Sequence, residues 1–578
     1  MKILFKINLL LCLFLLTSVT GAGKERVLYM DTYIEKYGTP DNICPAVQKA
    51  LEVCRKEGIH TLVFSKGVYR FRPDGLKTKH TFVSNHGEAN RRFAFDLSGL
   101  RNLKIDGQGS EFLFKGFVCP FLIDHAQKIN ICNLSIDYER TFHSEGKILE
   151  GAPDYFDVSF GKEYPYRISD GHLVFLDDEN TEYRWSYLLE YDPAKQEPAY
   201  KVDDYAVDQS CPVKDLGNGR VRIEHAGIKA TPGNTMVFGP AHRDIPAITV
   251  SDSRDITIES VTLYHCGGMG VVAQRSKNIQ LDKVIIKPTP GKDRLVSLTA
   301  DATHFANCSG HVRLYNCSFE GQRDDATNIH GVYYRIKQIH SPHSIEVELV
   351  HGGQFGFDYL KPGMKIEFVQ PGSLHSYESG KIMSVKKLSK QCYTVELQKP
   401  VSSNVKEQDA IAGDSEYPTV HIKKCYFARN RARGLLLGSR GKTIIEDNTF
   451  HVPGAAILME GDARFWFEQA GVRHLTIRRN VFDNCNFGVW GGACIETGPG
   501  IEESLRDSSR YNRHILIENN IFRIFSAPVL RVFSVSHLTF KNNTIIPTQA
   551  YHPQENLKER LFDIRHSDHI HISDPHSD

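Results

Sequence analysis

The residues able to do chemistry gather in one short stretch and in a segment one repeat before it. Adjacent carboxylates, Asp324 and Asp325, open the stretch DDATNIHG, and the same tripeptide Asp-Ala-Thr starts earlier at Asp301. Cleavage of a glycosidic bond needs one carboxylic acid to protonate the leaving oxygen and one carboxylate to activate water or to attack. Neighbouring carboxylates cannot all ionise, so one of them keeps its proton. We therefore predict that Asp301, Asp324 and Asp325 are catalytic.

A repeated strand pattern supplies the backbone on which these acids can meet. The template apolar-x-apolar-x-x-(Asn, Cys, Val or Leu)-x-apolar recurs along the chain, and such alternation predicts strands with one buried face. Copies start at Ile129, Ile256, Ile279, Val312, Val420, Leu475, Ile515 and Leu538, with looser copies at Leu103 and Thr443. The closest copies start 23 residues apart, which is typical of one coil of a solenoid. We predict an all-β fold, a right-handed parallel β-helix of the pectin-lyase-like type.

The sixth position of the template lies at the bend of each coil. It is occupied by Cys317, Cys425, Asn448, Asn480, Asn520 and Asn543 in the later copies. Side-chain amides on successive coils can hydrogen-bond to one another as a ladder. The same stacking places Asp301 one coil from Asp324 and Asp325, because neighbouring coils are about 4.8 Å apart. Adjacent residues of a strand point to opposite faces, so we expect a bulge at this pair.

Other segments cover or interrupt the helix. Apolar residues at helical spacing between Asp41 and Gly58 predict a helix that caps the first coil and covers its unpaired strand edges. Two long gaps in the repeat contain strand-like segments, which predict two inserted small β-barrel modules. The predicted order is a signal peptide at 1–22, an N-terminal cap and first coils at 24–144, an inserted β module at 145–239, catalytic coils at 240–331, an inserted β-barrel at 332–417, C-terminal coils at 418–547 and a tail at 548–578.

Composition and the N-terminus bound the class of protein. The chain has 578 residues and a formal net charge of +1, which gives no electrostatic reason to expect nucleic acid or a membrane surface as a partner. Lys2, Lys6, the apolar run from Leu9 to Leu16 and small residues at 20–22 predict a cleaved export signal, and no later stretch is long enough to span a membrane. The cysteines lack zinc-ligand spacing, so we expect mostly buried free thiols.

Further candidate residues follow the predicted column of acids. We expect Gln274 and Arg275 one coil before the acids, and Arg431 and Arg433 one coil after them. Acids, arginines and aromatic side chains along one face of a β-helix are typical of a carbohydrate groove. The predicted substrate-binding residues are Arg275, His304, His330, Glu460, Arg464 and Trp490. We expect no cofactor and no metal site, because scattered acids without an Asp-rich loop are not a calcium motif.

Structural alternatives stay open for several of these residues. An Asp-Asp pair such as Asp324 and Asp325 is also common in a solvated turn. His330 and His304 could equally be buried structural histidines, and Trp490 could be a large aromatic side chain that fills a coil.

Two motifs carry a resemblance to a known family. The segments TADATHF, from Thr299 to Phe305, and RDDATNIHG, from Arg323 to Gly331, resemble glycoside hydrolase family 110. Its members are exported bacterial α-1,3-galactosidases that act on blood-group-B-type and linear α-galactosyl ends. The likeness covers nearly the whole chain after the signal, including the cap and both inserted modules. The spacing of the acids is also similar to that of the polygalacturonases, another group of inverting β-helix enzymes.

The resemblance implies an exo-acting α-galactosidase that removes terminal α-1,3-linked galactose with inversion of configuration and without a cofactor. It implies Asp324 as the general acid, with Asp301 and Asp325 holding and deprotonating the water. It further implies a carbohydrate as partner and a location in the periplasm or at the cell surface of a Gram-negative bacterium. Self-association into a homo-oligomer is left open.

Two other functions remain compatible with the sequence. One is another β-helix enzyme, a polygalacturonase-like hydrolase or a polysaccharide lyase; Arg275, Arg431 and Arg433 are compatible with an anionic glycan, whereas the acidic trio disfavours a lyase. The other is a β-helix that binds glycans without cleaving them. Replacement of Asp324 or Asp325 by Asn separates binding from hydrolysis and so discriminates between the two classes.

Overall fold

The computed structural model describes residues 26–553, 560–573 and 576–577. The predicted signal peptide at 1–22 lies outside these ranges. A parallel β-helix runs through the described part, with three columns of strands that pair from coil to coil. The first and second columns belong to one 22-stranded sheet, and the third column forms a 13-stranded sheet. None of the helices in the described ranges has the length and apolar character needed to cross a membrane.

The first column follows the beginning of the template, and the second column follows its end. The first column contains Val27–Tyr29, Thr61–Val63, Arg101–Phe114, Gln127–Tyr138, Arg254–Leu263, Lys277–Asp282, Ser309–Tyr315, Thr419–Lys423, Lys442–Glu446, His474–Arg478, Asn512–Glu518, Val535–Lys541 and Asp568–Ile572. The second column contains Val68–Phe71, the later parts of the three long strands from Arg101 to Leu263, and Ile285–Ile286, Ser318–Glu320, Tyr426–Ala428, Thr449–His451, Val481–Asp483, Ile521–Ile524, Thr544–Pro547 and His576–Ser577.

The third column carries the candidate site. Its parallel strands are Cys119–Asp124, Ile248–Ser251, Val271–Gln274, Thr303–Ala306, Thr327–Val332, Leu435–Leu437, Ile457–Met459, Ile495–Thr497, Leu530–Phe533 and Phe562–Arg565, preceded by the hairpin Thr78–Val83 and Gly87–Asp96. The short strand Glu468–Gln469 pairs antiparallel with the end of Thr327–Val332.

The amide ladder is confirmed. The side-chain amide of Asn448 donates to the Oδ1 atom of Asn480 at 2.9 Å, Asn480 donates to Asn520 at 3.0 Å, and Asn520 donates to Asn543 at 2.9 Å. All four side chains are buried. Because a buried amide without a partner is costly, the ladder favours one register of the coils. The cysteines in the described residues are all free, and all except Cys392 are buried.

Two helices lie at the N-terminal end, Asp31–Tyr37 and Cys44–Glu57. The second is the helix that the sequence predicts, and it ends at Gly58 in a left-handed conformation, with φ of 64°. It buries Ala46, Val47, Ala50 and Leu51 in the core of the β-helix. The first coil is thereby covered by apolar side chains.

The first inserted module lies between the second and third columns of one coil. An eight-stranded antiparallel sheet contains Ser144–Gly151, Tyr155–Phe160, Trp185–Asp192, Glu197–Pro198, Tyr205–Asp208, Val213–Gly217, Arg220–Glu224 and Thr235–Pro240. A three-stranded sheet contains Tyr166–Ser169, His172–Leu176 and Glu182–Tyr183. Edge-to-face contacts of Phe175 with Phe160 and with Phe238 join the two sheets.

The second inserted module is a closed six-stranded barrel with its own apolar core. Its strands are Tyr334–Ser341, Ser344–Glu348, Lys365–Gln370, His375–Lys387, Cys392–Leu397 and Ala410–Gly413. Short 3-10 helices occur at Gly352–Gln354 in this module and at Glu503–Ser508. The coils on either side of the barrel still pair directly, with Val312 opposite Val420. The barrel therefore projects from the helix without changing the order of its coils.

The prediction of a tail at 548–578 is wrong for most of the described residues. Phe562–Arg565 pairs in parallel with Leu530–Phe533, and Asp568–Ile572 pairs with Val535–Lys541. These strands form a further coil, and Phe562 packs against Phe540 with ring centroids 5.2 Å apart. This further coil is hard to recognise from the sequence, because only Ile570 and Ile572 keep the spacing of the template there.

Candidate active site

The coil register brings the three predicted acids together. Asp301 and Asp325 each stand two residues before a strand of the third column, and these strands pair with Thr303 opposite Thr327. The amide of Ala302 donates to the carbonyl of Asp325 at 3.0 Å. One carboxylate oxygen from each of Asp301, Asp324 and Asp325 lies within 4.8 Å of the other two. The repeat of Asp-Ala-Thr thus marks one position on two neighbouring coils.

The expected bulge is replaced by a bend. Asp324 and Asp325 precede the strand Thr327–Val332 rather than lying within it, and the pairing of that strand with Thr303–Ala306 shows no register shift. The side-chain amide of Asn430 holds the bend by donating to the carbonyl oxygens of Asp324 at 2.9 Å and of Arg433 at 2.8 Å. Both acids can face one side because the alternation of a strand does not apply in a bend.

Arginines of the following coil bind two of the acids. Arg433 stands in register with Asp325 and binds both of its oxygens, at 2.9 and 3.0 Å. Arg431 lies 3.0 Å from Asp324 and also bonds to Asp204 of the first inserted module. Arg243, which follows that module, lies 3.3 Å from the other oxygen of Asp324.

These partners shift the pKa values of the three acids in different directions. Burial and the neighbouring Asp324 raise the pKa of Asp301 well above its usual range. Burial would also raise the pKa of Asp324, but Arg431 and Arg243 outweigh it and lower that pKa. Burial raises the pKa of Asp325 to about 7, with Arg433 opposing the rise and Asp324 and Asp301 adding to it. Within this coupled set, burial favours the neutral form of Asp301 and the neighbouring arginines favour the ionised form of Asp324.

A cavity of about 320 Å³ adjoins the two arginines that hold Asp324. The first inserted module and the coils both contribute to its lining, with Ser186, Tyr187, Asp204, Gly239, Pro240 and Ala241 from the module and Arg243, Thr299, Arg323 and Arg431 from the coils. Tyr187 is 56% exposed, so an aromatic ring is available to a bound sugar. The module is therefore one wall of the site.

A second hollow lies beside the strands Thr327–Val332 and Leu435–Leu437 and the loop that follows Ile457–Met459. Its lining includes Asn328, His330, Glu460, Trp466 and Glu468. Burial raises the pKa of Glu460 to about 7, against the opposing attraction of Arg433. Glu460 is thus a carboxyl group near the trio, as the sequence predicts, and Trp466 is an exposed aromatic side chain beside it.

Two of the predicted substrate-binding residues do not reach the groove. Arg275 follows the end of its strand rather than preceding its start, and it pairs with Asp252 at 2.7 Å. His304 is fully buried behind Asp301. These two predictions are wrong because the sequence places a residue near a coil without showing which end or which face of the strand it occupies. Arg464 binds Glu502 at 2.9 Å and is 45% exposed, and its role in substrate binding stays a prediction.

The remaining two predictions have mixed outcomes. His330 lines the second hollow, yet both of its ring nitrogens already bond within the protein, to His304 and to the carbonyl of Gly331. Neither nitrogen is left for a sugar hydroxyl, so a direct role in binding is contradicted. Trp490 lies beside Arg431, whose guanidinium carbon is 5.2 Å from its ring, and it packs against the first inserted module. Trp490 therefore packs against Arg431, the arginine that binds Asp324.

Several residues of the site were missed in the sequence. Arg243, Asp204 and Arg323 are in or beside the first inserted module, and Glu468 begins the short strand that follows the loop after Glu460. None of them lies in the repeat, so no periodicity marks them. The proximity of Arg323 to the Asp-Asp pair was the one available signal.

Comparisons with known proteins agree with this architecture. Residues 144–237 match the family described as GLAA-B beta-barrel domain I, residues 344–411 match GLAA-B beta-barrel domain II, and residues 410–552 match the right handed beta helix region. The alpha-1,3-galactosidase A of Shewanella woodyi is 34% identical over 88% of this chain and 84% of its own length. The alpha-1,3-galactosidases B of Bacteroides thetaiotaomicron and Phocaeicola vulgatus are each 31% identical, over 95% and 96% of this chain and 90% and 98% of their own lengths.

A right-handed β-helix with an acidic trio at one edge of its third column, walled by an inserted module, defines the class: a glycoside hydrolase built on a parallel β-helix. Within that class, the chain belongs to the family of the α-1,3-galactosidases that carry GLAA-B β-barrel domains.

Proposed function

We propose that this enzyme is an exo-acting α-galactosidase that hydrolyses terminal α-1,3-linked galactose, on linear α-1,3-galactosyl glycans, on branched blood-group-B-type ends or on both. The supporting observation is the trio Asp301, Asp324 and Asp325 on two neighbouring coils, in a chain whose relatives with that activity in their names align over nearly its full length. The two inserted modules, which match the GLAA-B β-barrel domains, flank the coils of the trio along the chain.

The electrostatics favour a division of roles within the trio. Burial raises the pKa of Asp301, which suits a group that protonates the leaving oxygen. Arg431 and Arg243 lower the pKa of Asp324, which suits a group that orients water. The resemblance to glycoside hydrolase family 110 implies Asp324 as the acid, whereas these pKa directions favour Asp301. The trio titrates as one coupled group, in which the three carboxyl groups share protons.

Inversion of configuration stays a prediction. The distances within the trio restrict which acid and base could form an inverting pair. Inverting sites separate acid and base by roughly 6.5–9.5 Å to leave room for water, whereas oxygens of the trio approach within 4.8 Å. An inverting pair would therefore combine one member of the trio with a carboxylate across the groove. Glu460 and Glu468, which line the second hollow, are the candidates.

The decisive experiment is an NMR time course with a purified α-1,3-galactosyl oligosaccharide. We expect β-galactose as the first product, followed by mutarotation; α-galactose appearing first would establish retention. The variants Asp324→Asn and Asp325→Asn should still bind the oligosaccharide but should lose at least about 10³-fold in kcat, since each removes a charge from the reacting centre. If the unsubstituted enzyme releases no galactose from any α-1,3-galactoside, the proposal fails.

We further propose that the chain is exported to the periplasm or the cell surface of a Gram-negative bacterium, as the composition of residues 1–22 supports. Mass spectrometry of the mature protein from fractionated cells tests this. A mature N-terminus near residue 23 is expected, and an intact Met1 in the cytoplasmic fraction would contradict it.

A further inference from the structure

A third cavity, here called the outer hollow, lies between the second inserted module and the C-terminal coils. Its volume is about 470 Å³. The module contributes Glu367 and Asp414 to its lining, and the coils contribute Arg440, Arg473 and Arg513. Among the described residues, its lining shares no member with the lining of either cavity beside the trio. The outer hollow is therefore separate from the candidate active site.

The acids of the outer hollow are bound by one of its three arginines. Arg440 donates to both carboxylate oxygens of Glu367, each at 2.8 Å, and lies 3.2 Å from Asp414. The side chains of Arg440 and Glu367 are 7% and 1% exposed, so separating them would leave buried charges without partners. Three guanidinium groups and two carboxylates line the hollow. It therefore carries one excess positive charge when its histidines are neutral.

The other two arginines, Arg473 and Arg513, stand at equivalent positions on neighbouring coils. Each lies two residues before a member of the pair Leu475 and Ile515, which are opposite each other in the first column. Within the described ranges neither guanidinium group forms an ion pair, and the Nε atom of Arg473 is buried without a hydrogen-bond partner. A buried donor without an acceptor is costly. Because neighbouring coils are about 4.8 Å apart, both guanidinium groups can bind one anionic group.

A column of exposed histidines begins in the outer hollow. The rings of His474 and His514 line it and stack with centroids 5.5 Å apart. His537 and His569 continue the column on the next coils, at 4.8 and 4.4 Å. Burial lowers the pKa of His514, and His537, His474 and Arg513 lower it further. The hollow is thus a place where positive charge is disfavoured until an anion is present.

We propose that the outer hollow is a second ligand site, in which Arg473 and Arg513 bind an oxyanion, a sulfate ester or a carboxylate, on a glycan. Guanidinium groups bind such oxyanions through parallel N–H donors. The histidine column beside the hollow offers an elongated ligand a row of exposed rings to lie against. The choice of a glycan as the carrier rests on the proposed function, whereas the binding of an oxyanion does not. Binding here holds the enzyme on an anionic glycan while the trio stays free.

Isothermal titration calorimetry tests this site with four probes. They are inorganic sulfate and oligosaccharides of a sulfated galactan, of a polyuronate and of an uncharged galactan, each without a terminal α-galactosyl unit for the active site. We expect sulfate and at least one of the two anionic oligosaccharides to bind, and the uncharged one not to bind. In the double variant Arg473→Gln/Arg513→Gln, Kd should rise at least about tenfold, because hydrogen bonds to a charged group are lost.

Arg523→Gln is the matched control. Arg523 is an exposed arginine on the same coil as Arg513, in the strand Ile521–Ile524 of the second column, and it does not line the outer hollow. This variant should bind every probe as the unsubstituted enzyme does. Equal binding by the double variant, or equally tight binding of the uncharged oligosaccharide, would overturn the inference. Binding of inorganic sulfate alone, or of anionic phospholipid vesicles instead of both oligosaccharides, would overturn the choice of a glycan.

A second measurement needs no substitution and covers the case in which the double variant does not fold. In an NMR titration of histidine-labelled enzyme, sodium sulfate should raise the pKa of His514, because a neighbouring anion favours the charged ring. Sodium chloride at the same ionic strength is the control, and equal effects of the two salts would refute the inference. Hydrolysis is not a readout in either experiment. A chain that binds these probes but cleaves no α-1,3-galactoside would contradict the proposed function alone.

Discussion

Asp301, Asp324 and Asp325 are chemically identical, and their different behaviour comes from what surrounds each of them. Asp324 has arginines on two sides, Asp325 shares both oxygens with one guanidinium, and Asp301 has a histidine behind it. Because like charges this close cannot all ionise, small differences in partners decide which acid keeps a proton. The division of roles is therefore encoded in the arginines and histidines as much as in the acids.

Arg433→Lys tests the contribution of the two-oxygen contact at Asp325. Lysine keeps the positive charge, but its ammonium group cannot bind both carboxylate oxygens side by side as the planar guanidinium group does. Asp325 should therefore shift within the site. We expect kcat to fall about 10- to 100-fold, because small misplacements at a reacting centre are costly. Steady-state kinetics on an α-1,3-galactosyl disaccharide measures this.

Arg479→Lys is the matched control, since Arg479 binds Asp447 at 2.7 Å on the outer face of the first column. Its kinetics should not change. Equal losses in both variants would show that the substitution acts through stability rather than through Asp325.

At this scale the sequence predicts the acids well and their partners poorly. The repeated Asp-Ala-Thr places Asp301, Asp324 and Asp325 correctly because strand register repeats with the coil. The same register identifies Arg433. It misplaces Arg275, and it misses Arg243 and Glu468, because segments outside the paired strands have no period from which a side-chain direction follows.

At the scale of elements, Arg323 joins the first inserted module directly to the catalytic bend. Arg323 directly precedes Asp324, and its guanidinium enters the module, where it donates to the carbonyl of Tyr187 at 3.3 Å. Gly239 leaves the space for it, because a Cβ atom at that position would lie 2.0 Å from Nη1 of Arg323. The position of Asp324 therefore depends on a glycine in another element.

Gly239→Ala should displace Arg323 and with it the bend. We expect kcat/KM to fall at least about tenfold and stability to fall by about 1–3 kcal/mol, the usual cost of overpacking. Kinetics and thermal unfolding together measure both effects.

Gly352→Ala is the control, because nothing lies within 4 Å of a Cβ atom there and Gly352 has no left-handed backbone. A Gly239→Ala enzyme with unchanged kinetics would show that Arg323 does not position Asp324.

The elements themselves were largely predictable. The strand template, the capping helix that ends at Gly58 and the amide ladder follow from local periodicity. The interior of the first module could not be predicted, because its strands are short and its sheets are joined by aromatic contacts between residues distant in sequence, such as Phe175 and Phe238.

At the scale of the whole molecule, the last described coil covers an apolar surface. Leu530, Leu538 and Phe540 are fully buried beneath Phe562–Arg565 and Asp568–Ile572. The N-terminal end of the same solenoid is covered by the helix Cys44–Glu57. The N-terminal end is thus capped by a helix, whereas each strand of the last described coil pairs with the preceding coil and has no strand on its outer side within the described residues.

Deletion of all residues after Thr548 should expose that surface. Each newly exposed large apolar side chain costs about 1.5–3 kcal/mol, so we expect a melting temperature lower by several degrees and increased binding of an apolar dye. A chain ending at Ser573 keeps the coil and should behave as the full chain does. If the chain that ends at Thr548 is as stable as the full chain, the last coil does not stabilise the end of the β-helix.

The second inserted module separates the acids from their arginines along the chain. Asp325 and Arg433 are 108 residues apart, with the barrel between them. A ribosome releases the chain from its N-terminus, so the three acids emerge well before the guanidinium groups that hold them. During that interval the coils of the acids have no following coil to pair with. The enzyme can therefore become active only late in its biosynthesis. The time at which activity appears reports when the chain beyond the barrel has folded.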